Sequence, residues 1–150
     1  MAFKDYNLWH KLKTWLHNEK PRVFFHEREI WFCFLGSNIG FEQDGHGDKF
    51  LRPVIIVKKF NNEIFLGAPL SETDKKGIYY FHFSFTQGVK SNAILSQIRL
   101  LDAKRLKYKA GDISVGDFAE LKDKLRQLLA WVWYFLPLPF GKGGPKPFVI

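Results

Sequence analysis

The sequence predicts a mainly β domain, a small and strongly bent barrel covered by a helix at either end. Three observations carry that expectation. Two short strands are expected, 29–35, apolar without break from Ile30 to Leu35, and one holding the apolar run 54–57; both are rich in β-branched or aromatic residues, as strands buried on both faces are. A third run, 78–85, alternates: Tyr79, Phe81, Phe83 and Phe85 fall on one side, Ile78, Tyr80, His82 and Ser84 on the other. Long helical spacing is confined to the two ends of the chain, with no internal repeat.

At the N-terminal end, Leu8, Leu12, Trp15 and Leu16 share a helical face behind Asp5, a capping residue. A helix is expected over about 5–18, ending before Pro21 and covering the body of the domain. Cys33, inside the 29–35 strand, has no sequence-local His or cation to activate it and reads as a core residue. Residues 36–50, GSNIGFEQDGHGDKF, hold four glycines and no periodicity, a loop long enough to imply function or disorder. No Gly-Lys-Ser/Thr follows, which rejects a nucleotide P-loop. His46 has no second His or Cys at ligand spacing and reads as a plain loop residue.

Pro53 has no N–H for a ladder and is expected to open the next strand. Arg52 then stands at the strand mouth facing solvent, where truncation should open no cavity and cost little stability. Asn61-Asn62 turns the chain, and 63–70 returns to end in Pro69-Leu70-Ser71. The hairpin therefore carries a cation at its entrance and a hydroxyl at its exit. The alternative is a solvated strand-end charge and an ordinary loop serine. The aromatic row of 78–85 either stacks bases or fills the core. Residues 91–95 form a further strand, with Ser96-Gln97-Ile98-Arg99 directly after it, and one helical turn at 103–106 precedes a short strand near Tyr108. Ser114 and Asp117 have capping-box spacing, and Phe118, Leu121, Leu125, Leu128 and Leu129 share a face of a helix running to about Phe135. The Pro/Gly-rich tail, about 136–150, reads as extended or mobile.

A chain of 150 residues that is 46% hydrophobic and 17% aromatic excludes disorder and suffices for one domain with a real core. A net charge of +8 implies an acidic partner: nucleic acid, an acidic protein or a membrane surface. A single cysteine permits no intrachain disulfide and suits a reducing cytoplasm. The N-terminal residues lack the apolar stretch of a secretory signal. The run 128–140 is too short to span a membrane and is broken at Pro137 and Pro139. No membrane association is expected, and no motif calls for a metal or cofactor.

Certain short motifs then follow one another in a telling order: Arg28-Glu29-Ile30-Trp31, Leu35-Gly36, Gly40-Phe41-Glu42-Gln43-Asp44-Gly45, Arg52-Pro53-Val54, Pro69-Leu70-Ser71 and Ser96-Gln97-Ile98-Arg99-Leu100. In order and spacing they resemble the PemK/MazF family of toxins from type II toxin–antitoxin systems, over about 27–129. The N-terminal helix also resembles one sub-branch of that family; nothing beyond Leu129 does. The resemblance implies an SH3-like barrel that is homodimeric and cuts single-stranded RNA as a metal-independent endoribonuclease, an mRNA interferase, restrained by a cognate acidic antitoxin. It puts the family's catalytic Arg on Arg52 and its catalytic Thr on Ser71, a departure that keeps the hydroxyl. The Gln and Arg that follow the family's central strand fall on Gln97 and Arg99. One group of relatives has an Asp directly before that Gln and an Arg two residues earlier. Ser96 and Ile94 stand there instead, so that group's acid–base roles do not transfer.

Metal-free RNA cleavage uses the 2′-hydroxyl as internal nucleophile, and the protein must neutralise the phosphorane and handle two protons. The planar fork of Arg52 suits the first task. Ser71 would hold the phosphate or the 2′-hydroxyl, being too weak a base unaided. Glu42 and Gln43 would position bases or sugar, Gln97 a base edge, with Arg99 beside it. Lys58, Lys59, Lys75 and Lys76 would attract phosphates. Two other classes stay open: a gyrase poison, since a related toxin family shares the barrel, and a non-catalytic barrel that binds RNA or a partner.

Overall fold

The computed structural model describes residues 3–85 and 88–135, with side chains as far as Ala130; the tail reading for 136–150 lies outside them. The order is α1 (Tyr6–Asn18), β1 (Glu29–Phe34), β2 (Leu51–Lys59), β3 (Ile64–Ser71), β4 (Tyr80–Phe85), β5 (Val89–Ile94), β6 (Arg99–Asp102), β7 (Leu106–Asp112) and α2 (Val115–Phe135). Short 3₁₀ turns, Leu95–Gln97 and Ala103–Arg105, flank β6. The seven strands form one antiparallel sheet in the order β4-β5-β3-β2-β1-β7, with β6 pairing β3 off that path.

β3 organises this arrangement. One of its edges runs against β2, while the other is shared: Ile64 to Gly67 pair with β6, and Leu70 and Ser71 with β5. Bulges between Ile30 and Trp31, between Phe32 and Cys33, and between Ile56 and Lys58 bend the sheet. Among the described residues β4 and β7 do not pair, so the sheet stays open. β6 is an addition to the strands expected from the sequence. β6 went unforeseen because only Leu101 of its four residues is buried, which leaves no alternation to read.

The β2 run is buried on both faces, as its composition predicts. Ile55 and Val57 enter one cluster with Leu70, Phe81, Phe83 and the α2 residues Phe118, Leu121 and Leu125. Val54 and Ile56 enter the opposite cluster with Phe25, Cys33, Phe65 and Leu101. The aromatic row of β4 is therefore core, with Phe81 and Phe83 stacked at 6.1 Å between centroids. Cys33 is fully buried, and burial pushes its thiol pKa up, which makes it inert. Pro53 is the third residue of β2 rather than its first, opposite Phe32, because Leu51 and Arg52 already pair with Phe34 and Cys33.

Both helices start as predicted. Asp5 Oδ1 accepts from the Leu8 N–H at 2.9 Å, and Ser114 Oγ from the Asp117 N–H at 3.0 Å. The buried face of α1 differs from the expected one. Trp9 and Leu16 are buried, with Leu12 packed against them, whereas Leu8 and Trp15 are each 40% exposed. Trp9 settles inward because Gly36, at φ +92°, lies beneath it; a Cβ there would meet the indole at 2.3 Å. On α2, Leu129 is exposed instead of sharing the buried face. No described helix is long and apolar enough to cross a membrane.

Candidate active site

The loop 36–50 is held in place at several points despite its glycines. Asp44 Oδ1 accepts from the Asn38 N–H at 2.6 Å, and Asn38 Nδ2 donates to the carbonyls of Gln43 at 2.7 Å and Leu35 at 3.2 Å. Gly45 passes so close to the backbone of Phe50 that a Cβ would sit 1.7 Å from the carbonyl oxygen, so the crossing admits only glycine. Paired backbone bonds join His46 to Leu51 at 2.7 and 3.0 Å, and the Phe50 N–H closes a turn onto Gly47. This turn folds His46 back over Arg52.

Arg52 is not the solvent-facing cation expected from the sequence. Its residue exposure is 8%. Nε donates to the Asp44 carbonyl, Nη1 to the Leu70 carbonyl at 2.9 Å, and Nη2 to His46 Nε2 at 2.8 Å. Burial lowers its pKa, and the neighbouring Asp44 works the other way; a guanidinium remains charged regardless. The β2–β3 ladder ends at Val54 and Pro69. Just beyond, where Pro53 has no N–H to give, the guanidinium supplies the donor for Leu70.

Leu70 directly precedes Ser71, so Arg52 and Ser71 come together at one end of β2 and β3. Ser71 is half-buried and pairs with Asn92; its Oγ accepts from the Thr73 N–H at 3.2 Å. Gln97 joins them through the loop: its Nε2 donates to the Phe41 carbonyl at 3.1 Å and its Oε1 accepts from the Gln43 N–H at 3.2 Å. Glu42, between those two anchor points, is exposed.

The other predicted residues are more scattered. Arg99 is half-buried and opens β6 opposite Gly67. It lies near enough to Arg105 that its like charge adds to burial in lowering the basicity of Arg105. Lys75 is exposed in the loop after Ser71. Lys58 pairs with Glu27 at 3.5 Å, six residues along β2 from Arg52 and hence about 20 Å away. His46 is the residue that sequence reasoning passed over. No metal-ligand spacing marks it, and its partner is an arginine reached through a turn. Among the described residues no three His, Cys, Asp or Glu side chains gather as a metal site.

A sequence model for the PemK-like, MazF-like toxin of type II toxin–antitoxin systems matches residues 26–129. Among solved structures, MazF from Deinococcus radiodurans (Form-I) is similar at 19% identity and a TM-score of 0.55, over 73% of this chain and 99% of that one. The MazE–MazF structure (Form-II) from the same organism is similar at 16% identity and a TM-score of 0.51, over 73% and 97%. An endoribonuclease in complex with its cognate antitoxin, from mycobacterial species, is similar at 14% identity and a TM-score of 0.50, over 77% and 100%. No curated protein matches the chain by sequence. The solved structures establish likeness of fold, and the matched span runs from just before β1 well into α2. The chain belongs to the PemK-like, MazF-like toxin family of type II toxin–antitoxin systems.

Proposed function

We propose that this toxin is a sequence-specific endoribonuclease that cuts single-stranded mRNA without metal or cofactor, with Arg52 and Ser71 at the reacting phosphate. The observation that carries the reading is the fixed, buried guanidinium of Arg52, bonded to the carbonyl next to Ser71. Preorganised donors aimed at developing charge are what a phosphorane requires. Three of the five guanidinium N–H groups are committed to Asp44, Leu70 and His46, which leaves one on each terminal nitrogen for phosphate oxygens.

In this reading the 2′-oxygen bonds to the adjacent phosphorus and the P–O5′ bond breaks, giving a 2′,3′-cyclic phosphate and a 5′-hydroxyl. One proton leaves the 2′-hydroxyl and another reaches the departing 5′-oxygen from water. Arg52 neutralises the phosphorane. Ser71, whose oxygen already accepts from Thr73, has its hydroxyl hydrogen available for a phosphate oxygen. His46 accepts the 2′-hydroxyl proton when its Nε2 turns from Nη2 to the substrate. Gln97, Gln43, Glu42 and Arg99 flank the bound strand, Lys75 adds attraction, and Lys58 acts only at long range. The bent sheet serves as the family's SH3-like barrel within one domain over 1–150, dimeric and cytoplasmic. Its +8 charge draws in an acidic antitoxin.

Long RNA incubated with the purified protein in EDTA, followed by end mapping, tests the reading. Fragments with 5′-hydroxyl and cyclic phosphate ends are expected. Activity that returns only with Mg²⁺ overturns the metal-free mechanism. The competing reading is a barrel that binds RNA without cutting it. Retained RNA with no new ends in that assay would select it.

A further inference from the structure

We infer that Lys4, outside the family-matched span, is a positioning residue for Arg52 and acts through Asp44. The inference rests on the reading of Arg52 as the phosphate-binding group. Lys4 Nζ lies 3.0 Å from Asp44 Oδ2 and donates to the carbonyls of Asn38 at 2.5 Å and Gly40 at 3.1 Å. All three ammonium donors therefore have partners in one loop. The Lys4 side chain is only 13% exposed, low for a residue type that normally stays in water. Tyr6 adds a second tie, its hydroxyl donating to the Asn38 carbonyl at 3.0 Å.

The loop so gripped is the one that orients the guanidinium. The backbone carbonyl of Asp44 receives Arg52 Nε, while its carboxylate is shared between the Asn38 N–H and Lys4. Asp44 is also the carboxylate whose charge Arg52 feels. Two consequences follow from elementary electrostatics. Lys4 fixes the position of the carbonyl that aims Nε. It also neutralises a carboxylate able to compete with a phosphate for the guanidinium. Without Lys4, Asp44 and Arg52 are drawn together, and the donors left for substrate turn inward.

The test uses the full chain and three variants: Lys4→Met, which keeps the stem without the charge, Lys4→Arg, which keeps the charge, and the double change Lys4→Met with Asp44→Asn. Three quantities are read: kcat and KM on RNA, the Arg52 Nε–H resonance of ¹⁵N-labelled protein, and the melting temperature. Lys4→Met should lower kcat about 10- to 100-fold, the scale of a small misplacement of a reacting group, and should move the Arg52 resonance. Lys4→Arg should restore both. The double variant should recover part of the loss, because the competing charge is gone. A Lys4→Met protein that only melts lower, with kcat and the Arg52 resonance unchanged, overturns the inference. If the parent chain cuts no RNA, the ribonuclease reading fails separately. The resonance then still reports whether Lys4 sets the geometry of Arg52: a shift upholds that link, and no shift ends it.

Discussion

Arg52 Nη2 donates to His46 Nε2 across 2.8 Å, joining a buried cation to an exposed imidazole six residues away in sequence. Arginine can only donate, so Nε2 is the accepting nitrogen and a neutral ring carries its proton on Nδ1. A doubly protonated ring could not keep this bond and would face a like charge. The accepting nitrogen of His46 and the position of Arg52 are therefore coupled.

Replacing His46 with Gln separates the two jobs that the contact allows. The amide oxygen can still accept from Nη2, but the side chain no longer takes up a proton. His46→Gln should melt like the parent while kcat falls about 10²- to 10⁴-fold, the usual contribution of a general acid or base. An unchanged rate would show that the ring merely holds Arg52.

Truncating Arg52 should damage both chemistry and stability, in contrast to the expectation from sequence. Arg52→Ala leaves the carbonyls of Asp44 and Leu70 without their donor, and each buried orphan costs about 1–3 kcal/mol. Arg52→Lys is the cleaner probe, because it keeps the charge and part of the bonding. Its melting temperature should lie nearer the parent's, while cleavage drops roughly 10²–10³-fold for want of the planar fork. A folded Arg52→Lys protein cutting at the parental rate would remove Arg52 from the reaction.

Most of the sheet was legible because its signals are local. The β2 run delivers Val54 and Ile56 to one core and Ile55 and Val57 to the other, which a pure period-two pattern requires. Asp5, Ser114 and Asn61 bond to backbone within three residues, so their caps and turn could be read directly. What escaped depends on distant backbone. Trp9 replaces Leu8 on the buried face because of Gly36, and Arg52 is buried because Asp44 and Leu70, 8 and 18 residues away, offer carbonyls. The motif order marked Arg52 and Ser71 as a pair, and the bond from Arg52 to the Leu70 carbonyl puts the guanidinium one residue from Ser71 along β3.

Glu29 provides a pH test of the fold that is independent of the site. Burial opposes its ionisation, but bonds from the His26 N–H, Trp31 Nε1, Lys109 and His26 Nδ1 outweigh that and hold its pKa below the ordinary 4.5. A carboxylate with a depressed folded pKa binds its proton more weakly than in the unfolded chain. Its stabilisation is thus complete above about pH 4.5 and fades as pH falls through the depressed value. Melting temperatures from pH 7 to pH 3 should fall more steeply for the parent than for Glu29→Gln. Parallel curves would mean that Glu29 contributes no acid sensitivity.

Ser71 offers the finest discrimination between positioning and charge. Its oxygen accepts from the Thr73 N–H at 3.2 Å, which orients the hydroxyl while leaving its hydrogen available. Ser71→Ala removes that turn bond, worth about 0.5–1.5 kcal/mol, together with one neutral donor to the phosphate. A hydrogen bond to a charged group contributes about 1.5–3 kcal/mol, so the rate should fall roughly 10- to 100-fold, less than for Arg52→Lys. Ser71→Thr keeps the hydroxyl and adds a β-branch, which a strand end accepts readily. It should cut near the parental rate and melt no lower. Cleavage rates and melts for the three proteins, taken on matched preparations, decide the matter. If Ser71→Ala equals the parent in rate, the hydroxyl plays no part at the phosphate. If Ser71→Thr fails while remaining folded, the site has no room for the added methyl, and the threonine of the family's motif does not map onto this position.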